Sequence, residues 1–188
     1  MIGPHPIEGY AIVSADGMIA DADGATPDCI RNDADQDFLQ AAMDRAAAIV
    51  HGRRSHEGGP RAAKRKRVVV TRQVPAIAAD PSQPNALLWN PAGASLEQAM
   101  DALSVGTGSI AVIGGTDVFS LFLPLYDVFH LSRATRARIP GGQPLLSAVC
   151  PTATLEDVLM RHGLLPSPPR DIDAAAGITL TNFQHVKQ

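Results

Sequence analysis

The sequence predicts an α/β fold with a largely parallel central sheet flanked by helices and an antiparallel strand at the C-terminal end. Three observations predict it. Short, continuous apolar runs recur along the chain, as strands buried on both faces require. Segments with helical spacing or helix-capping signatures fall between those runs. Near the C-terminus, ITLTNF at 178–183 alternates apolar and polar residues, the pattern of a half-exposed strand.

The elements follow in order. YAIVS at 10–14 is the first strand, stopped by the turn pair Asp16-Gly17 and extended by MIA at 18–20. Residues 21–32 hold Gly24 and Pro27 among polar side chains and form a loop. From Asn32 onward Phe38, Leu39, Ala42, Met43 and Ala46 recur at helical spacing, with Asn32 or Asp33 as the N-cap. AAIV at 47–50 is a buried strand, and VVVT at 68–71 is β-branched throughout and the clearest strand of the chain. ALLW at 86–89 follows. Ser95-Leu-Glu-Gln98 matches a capping box and opens a helix to about Leu103. IAVI at 110–113 is a strand broken by Gly114-Gly115; Thr116 caps a short helix that Pro124 ends. VFHL at 128–131 is a further strand. The proline-rich stretch 166–170 is the one linker-like loop, and no internal repeat is visible.

Composition bounds the possibilities. A chain of 188 residues and 19.8 kDa suits a single domain over residues 1–188. With 45% apolar and 19% charged residues it is not intrinsically disordered. No apolar run approaches the roughly 18 residues that span a bilayer, and MIGPHPIEG lacks a basic-then-apolar signal. The expectation is a cytoplasmic protein without a membrane partner. Cys29 and Cys150 are too few for a disulfide scaffold, and the histidines show no metal-ligand spacing, so no metal is expected. Cys29 lies in an acidic loop that disfavours its thiolate, and no G-x-S-x-G elbow exists, which argues against hydrolase chemistry.

The net charge of −3 hides an asymmetry. Residues 1–44 carry acidic side chains opposed by Arg31 alone. Residues 53–72 carry Arg53, Arg54, Arg61, Lys64, Arg65, Lys66, Arg67 and Arg72, opposed only by Glu57. Local positive charge attracts phosphates, and the overall acidity favours a phosphorylated small molecule over nucleic acid. For Lys64, Arg65 and Lys66 the plainer reading is a solvated loop.

Ligands of open α/β sheets bind beyond the carboxyl ends of the strands. Three ends carry suitable residues: His51-Gly52-Arg53-Arg54-Ser55, Thr71-Arg72 and Gly114-Gly115-Thr116-Asp117. Glycine admits close backbone approach, hydroxyls and amides donate hydrogen bonds, and arginine pairs with phosphate oxygens. His51 itself, following a buried strand, reads as a packed, hydrogen-bonded residue rather than a base.

At these residues the chain resembles a known fold family. VHGRRSHE, RKRVVVTRQ, IAVIGGTDVFSLFLP and DVFHLSRA follow one another as in dihydrofolate reductase. The opening GYAIVSADGMIA is closer to the reductase half of the bacterial riboflavin-biosynthesis deaminase–reductase, which shares that fold. The resemblance implies NADPH as cofactor. Gly52, Arg53 and Ser55 match the turn that holds the dinucleotide's phosphates, with Arg54 beside them. Thr71 and Arg72 match the strand end that cradles the adenosine 2′-phosphate. Ile113, Gly114, Gly115, Thr116, Asp117 and Val118 match the loop and helix start under the pyrophosphate and nicotinamide. There the Gly-Gly peptide is expected to be cis and Asp117 to turn away. Val13 and Ile19 would flank the nicotinamide. Ser14 and Asp16 match the Ser-x-Asp-Gly signature of the riboflavin-type reductases. Asp33, Asp35 and Asp37 crowd the place of the family's single carboxylate, and Asp35 is the choice among them.

Two departures stand beside these matches. The tryptophan expected before the first helix is missing, and Phe119 replaces a tyrosine common in dihydrofolate reductases. The resemblance implies a reductase passing hydride to a pterin or ribosylaminopyrimidine-like heterocycle, working as a homodimer with no nucleic-acid partner. The rival from another class is a non-catalytic nucleotide- or nucleic-acid-binding module using the basic segment 53–72.

Overall fold

In the computed structural model, which describes residues 5–55, 61–150 and 152–185, the apolar runs become the middle of one large sheet. In chain order the elements are β1 (Ile7–Ser14), β2 (Met18–Ala20), α1 (Asp33–Arg45), β3 (Ala48–Gly52), β4 (Arg67–Val70), β5 (Ile77–Ala79), β6 (Ala86–Trp89), α2 (Leu96–Ala102), β7 (Ile110–Val112), α3 (Thr116–Phe122), β8 (Val128–Ala134), β9 (Gln143–Pro144), α4 (Leu155–Arg161), β10 (Leu165–Pro166), β11 (Arg170–Asp173) and β12 (Ile178–Gln184). The sheet runs β10-β12-β8-β1-β7-β3-β4-β6-β5, with β11 also pairing β12, while β2 and β9 form a separate small ribbon. From β8 through β1, β7, β3 and β4 to β6 every pairing is parallel. β12 and β5 close the two sides antiparallel. The predicted fold class stands.

Two apolar layers cover the sheet. On one face Phe122, Tyr126, Phe129, Leu145, Leu146, Leu159 and Phe183 pack with the strands' inward residues. On the other, α1 lays Ala42 and Met43 against Tyr10, Ile49 and Ala111. Fully burying one such large side chain is worth about 1.5–3 kcal/mol. Strand β1 carries Gly9 in its middle because two rings fill the space beside it. A Cβ there would lie 2.3 Å from Phe129 Cδ2 and 2.9 Å from Tyr126 Cε1.

Several expectations need correction. Thr116 does not cap α3; Gly115 is the N-cap, and the Thr116 hydroxyl instead donates to the Pro144 carbonyl at 2.5 Å, tying the helix start to β9. The stretch 166–170 is no linker. Pro166 pairs with Phe183, the Ser167 amide donates to the Asn182 carbonyl, and β11 begins at Arg170. Arg65 is not solvated: it is buried, 2.5 Å from Asp44 Oδ1 and 2.9 Å from Gln40 Oε1, and it locks the chain before β4 onto α1. Lys66 donates to the Ser104 carbonyl. Short β5, β9, β10 and β11 and helix α4 carry no counterpart in the sequence reading.

Candidate active site

Because β3, β4 and β7 run parallel, their carboxyl ends emerge on one edge of the sheet, and a cleft of about 1140 Å³ opens there. Gly52 at the end of β3 with Arg53, Arg54 and Ser55 beyond it, Thr71 and Arg72 after β4, and 113–118 after β7 all border it. The three strand ends picked out from the sequence therefore converge. The Gly114–Gly115 peptide is cis, and the Gly52 amide donates to the Gly114 carbonyl at 2.9 Å, joining two of the ends. A Cβ on Gly115 would meet nothing within 4 Å, so the missing side chain leaves cleft space in front of the backbone. At Gly52 an added Cβ would reach Val118 Cγ2 at 3.4 Å, so the turn sits directly against α3. Among the described residues, the exposed guanidiniums of Arg53, Arg54 and Arg72 form no ion pair. A backbone cradle flanked by available arginines fits a phosphorylated dinucleotide. Asp117 departs from expectation. It is exposed but borders the cleft instead of turning away from it.

The other end of the cleft is built differently. Asn32 caps α1 by accepting from the Asp35 amide at 3.2 Å, which fixes the helix start over the sheet. Asp33 and Asp37 are exposed, while Asp35 is only 5% exposed and faces the cleft with Gln36, Phe38 and Leu39. Beneath it the Ser132 hydroxyl donates to its carboxylate. Burial raises the Asp35 pKa above the usual carboxylate value, and the Ser132 hydrogen bond offsets only part of that. Tyr10, Ile12 and His130 complete this wall.

Three predicted residues fall elsewhere. Val13 is fully buried in the core, and Tyr10, Ala11 and Ile12 are the β1 residues at the cleft. Ser14 is fully buried and does not border the cleft; its hydroxyl donates to Asp16 at 2.5 Å and accepts from the Met18 amide at 3.0 Å. Asp16 accepts from the Ile139 amide at 3.1 Å. Burial works to raise the Asp16 pKa, but the bonds from Ser14 and Ile139 outweigh it and hold the carboxyl below its usual value. Ser14 and Asp16 fasten the β1–β2 turn to the 137–139 loop. Ile19 does border the cleft.

The sequence reading missed Phe38, His130 and Ser132 as site residues. A signal existed. In VFHLSRA the residues 128, 130 and 132 share one strand face by simple alternation, and helical spacing puts Phe38 and Leu39 beside Asp35. His51 is buried with Nδ1 2.9 Å from the Gly52 carbonyl oxygen, a packed residue as expected.

No family model matches the chain, and no curated protein matches it. Solved structures do. A protein of Shewanella sp. PV-4 described provisionally as a riboflavin biosynthesis protein superposes with a TM-score of 0.66 at 18% identity, over 97% of this chain and 99% of that one. The diaminohydroxyphosphoribosylaminopyrimidine deaminase/5-amino-6-(5-phosphoribosylamino)uracil reductase of Thermotoga maritima gives 0.65 at 17% identity, over 97% of this chain and 57% of that one. Dihydrofolate reductase of Enterococcus faecalis, solved with NADP(H) and RAB-propyl, gives 0.64 at 15% identity and 97% coverage of both chains. With this superposition and the sheet order above, the chain has the dihydrofolate reductase-like fold.

Proposed function

We propose that the protein is an NADPH-dependent reductase acting on a C=N or C=O bond of a small heterocycle. One observation carries this reading: a single cleft joins a glycine- and arginine-lined end to a buried carboxyl group. The neighbours' fold and the NADP(H) bound to the E. faecalis enzyme support it. Arg53, Arg54 and Arg72 would hold the phosphates, and Gly114 and Gly115 would let backbone approach the ligand. When bound, NADPH would supply the hydride. Asp35, held by Ser132, would grip the hydrogen-bonding edge of the substrate. Its raised pKa lets it keep a proton at milder pH than an exposed carboxyl does, as a group that supplies or relays a proton requires. Phe38, Leu39 and Ile19, which border the cleft, would narrow the space around the reacting atoms and exclude water. By the same resemblance the protein would work as a homodimer, and light scattering at micromolar concentration is the check.

The rival reading, a nucleic-acid module, needs segment 53–72 to present one basic surface. Instead Arg61 and Arg65 bond to Asp44, Lys66 bonds to Ser104, Arg67 is buried, and Arg53, Arg54 and Arg72 face the cleft. Titration with NADPH, NADH and single-stranded nucleic acid separates the two. NADPH binding is expected, followed by NADPH oxidation with dihydrofolate, another pterin or a ribosylaminopyrimidine. Submicromolar nucleic-acid affinity at physiological salt without NADPH binding overturns the reductase. Asp35→Asn should lower turnover by about 100-fold or more while leaving NADPH affinity unchanged.

A further inference from the structure

Beside Asp35 and Ser132 the sheet carries a second polar group that faces the same end of the cleft. Register places Tyr10 of β1, His130 of β8 and Asn182 of β12 abreast, one residue pair along from Ile12, Ser132 and Leu180. The His130 ring stacks on Tyr10 with centroids 4.6 Å apart and planes 18° apart, and Phe38 of α1 closes on its edge at 5.6 Å. His130 Nδ1 lies 2.8 Å from Asn182 Oδ1. A carboxamide oxygen only accepts, so Nδ1 carries the proton and Nε2 of the neutral ring is left as an acceptor. Among the described residues Nε2 has no hydrogen-bond partner and is not fully buried, so it keeps solvent access. Two residues along one strand face span roughly 6.6 Å. Ser132, beside Asp35, and His130 are thus two polar side chains on one face of β8 at the same end of the cleft.

We propose that His130 is a specificity-determining residue of the substrate subsite, selecting heterocycles that carry an exocyclic amino donor on the edge remote from Asp35. This rests on the reductase reading for which ring is reduced, but not for whether such a ring binds. Tyr10 and Phe38 fix the imidazole plane, and Asn182 fixes its tautomer. The selection is pH-dependent. Protonation turns Nε2 from acceptor into donor and sets it against the same substrate group. The charged and titratable groups around the ring are Glu8 and Tyr10 on β1, Asp35 and Arg45 on α1, and Arg170 on β11. Burial holds the imidazole pKa below its ordinary value, with Asn182 and Glu8 offsetting part of the shift, so the neutral ring persists into mildly acidic solution.

The test compares 5,6-diaminouracil, which carries two exocyclic amino groups, with uracil, which carries none, as equilibrium-binding probes by NMR or calorimetry. Wild type should prefer 5,6-diaminouracil by about tenfold or more. His130→Phe keeps an aromatic ring on Tyr10 and should erase the preference, while His130→Gln, with a carbonyl acceptor in reach, should restore part of it. In wild type the preference should fade as pH drops through the imidazole titration, and in His130→Phe it should be flat with pH. A preference that survives in His130→Phe, or that shows no pH dependence in wild type, overturns the proposal. Thermal melts of the same proteins report folding, and NADPH affinity reports the reductase reading. Loss of NADPH binding in wild type with the diaminouracil preference intact sinks the reductase alone.

Discussion

Asp35 shows how one residue's burial couples stability to chemistry. Its folded pKa lies above its unfolded value of 3.8, so the native state holds a proton that the unfolded state has released. Below that value both states are protonated and burial costs nothing in charge; as pH rises through the folded pKa the buried carboxylate destabilises the native state. Asp35→Asn removes that titration and keeps an oxygen for Ser132. Thermal melts should therefore show the variant more stable than wild type near neutral pH, with the difference vanishing towards about pH 4. A constant difference at every pH would remove Asp35 from the buried site. Gly9 gives the opposite kind of prediction. A methyl group there collides with the fully buried Phe129 and Tyr126 rings, so Gly9→Ala should lower stability by about 1–3 kcal/mol in urea titration. The choice of Asp35 among three aspartates came from resemblance, yet the residues also held it: only Asp35 stands three and four positions before Phe38 and Leu39, on the helix face turned inward. Ser14 and Asp16 misled for a physical reason. A short polar motif after a strand serves a turn as readily as a site, and only the 137–139 loop, far along the chain, shows which.

Elements were legible in proportion to how much of their own stabilisation they carry. The parallel strands are continuous apolar runs, and α1 and α2 announce themselves by spacing and caps; Ser95 and Gln98 do form the reciprocal bonds of a capping box. Strands β9 and β10 have two residues each and exist only because a partner strand supplies their hydrogen bonds, so no local pattern could mark them. Helix α4 is different. Thr154-Leu-Glu-Asp157 with Val158 and Leu159 is a legible start, and Thr154 and Asp157 bond reciprocally at 2.9 and 3.1 Å. Thr154→Ala should cost about 1 kcal/mol, read as a lower urea midpoint with unchanged slope. An unchanged midpoint would mean that packing of Leu155, Val158 and Leu159 alone holds the helix.

At the scale of the whole molecule, the basic excess of 53–72 divides between two tasks. Arg65 and Arg61 draw the chain before β4 onto Asp44 at the end of α1, joining acidic and basic segments of the sequence. Arg53, Arg54 and Arg72 are left at the cleft because β3 and β4 end side by side in a parallel sheet. That division was not legible in the sequence, since it depends on which side of the sheet each residue of the basic run leaves, and a count of charges carries no such direction. On the proposed reductase reading it bears on cofactor choice. An additional phosphate placed among three available guanidiniums gains a charge-assisted contact of about 1.5–3 kcal/mol, so NADPH should bind roughly tenfold or more tightly than NADH. The arginines are exposed, so the preference should shrink as salt shortens the Debye length from about 10 Å at 0.1 M to about 3 Å at 1 M. Arg72→Ala should reduce the preference and flatten its salt dependence while sparing NADH affinity. Equal preference in wild type and variant across that salt range would place the phosphate away from the end of β4.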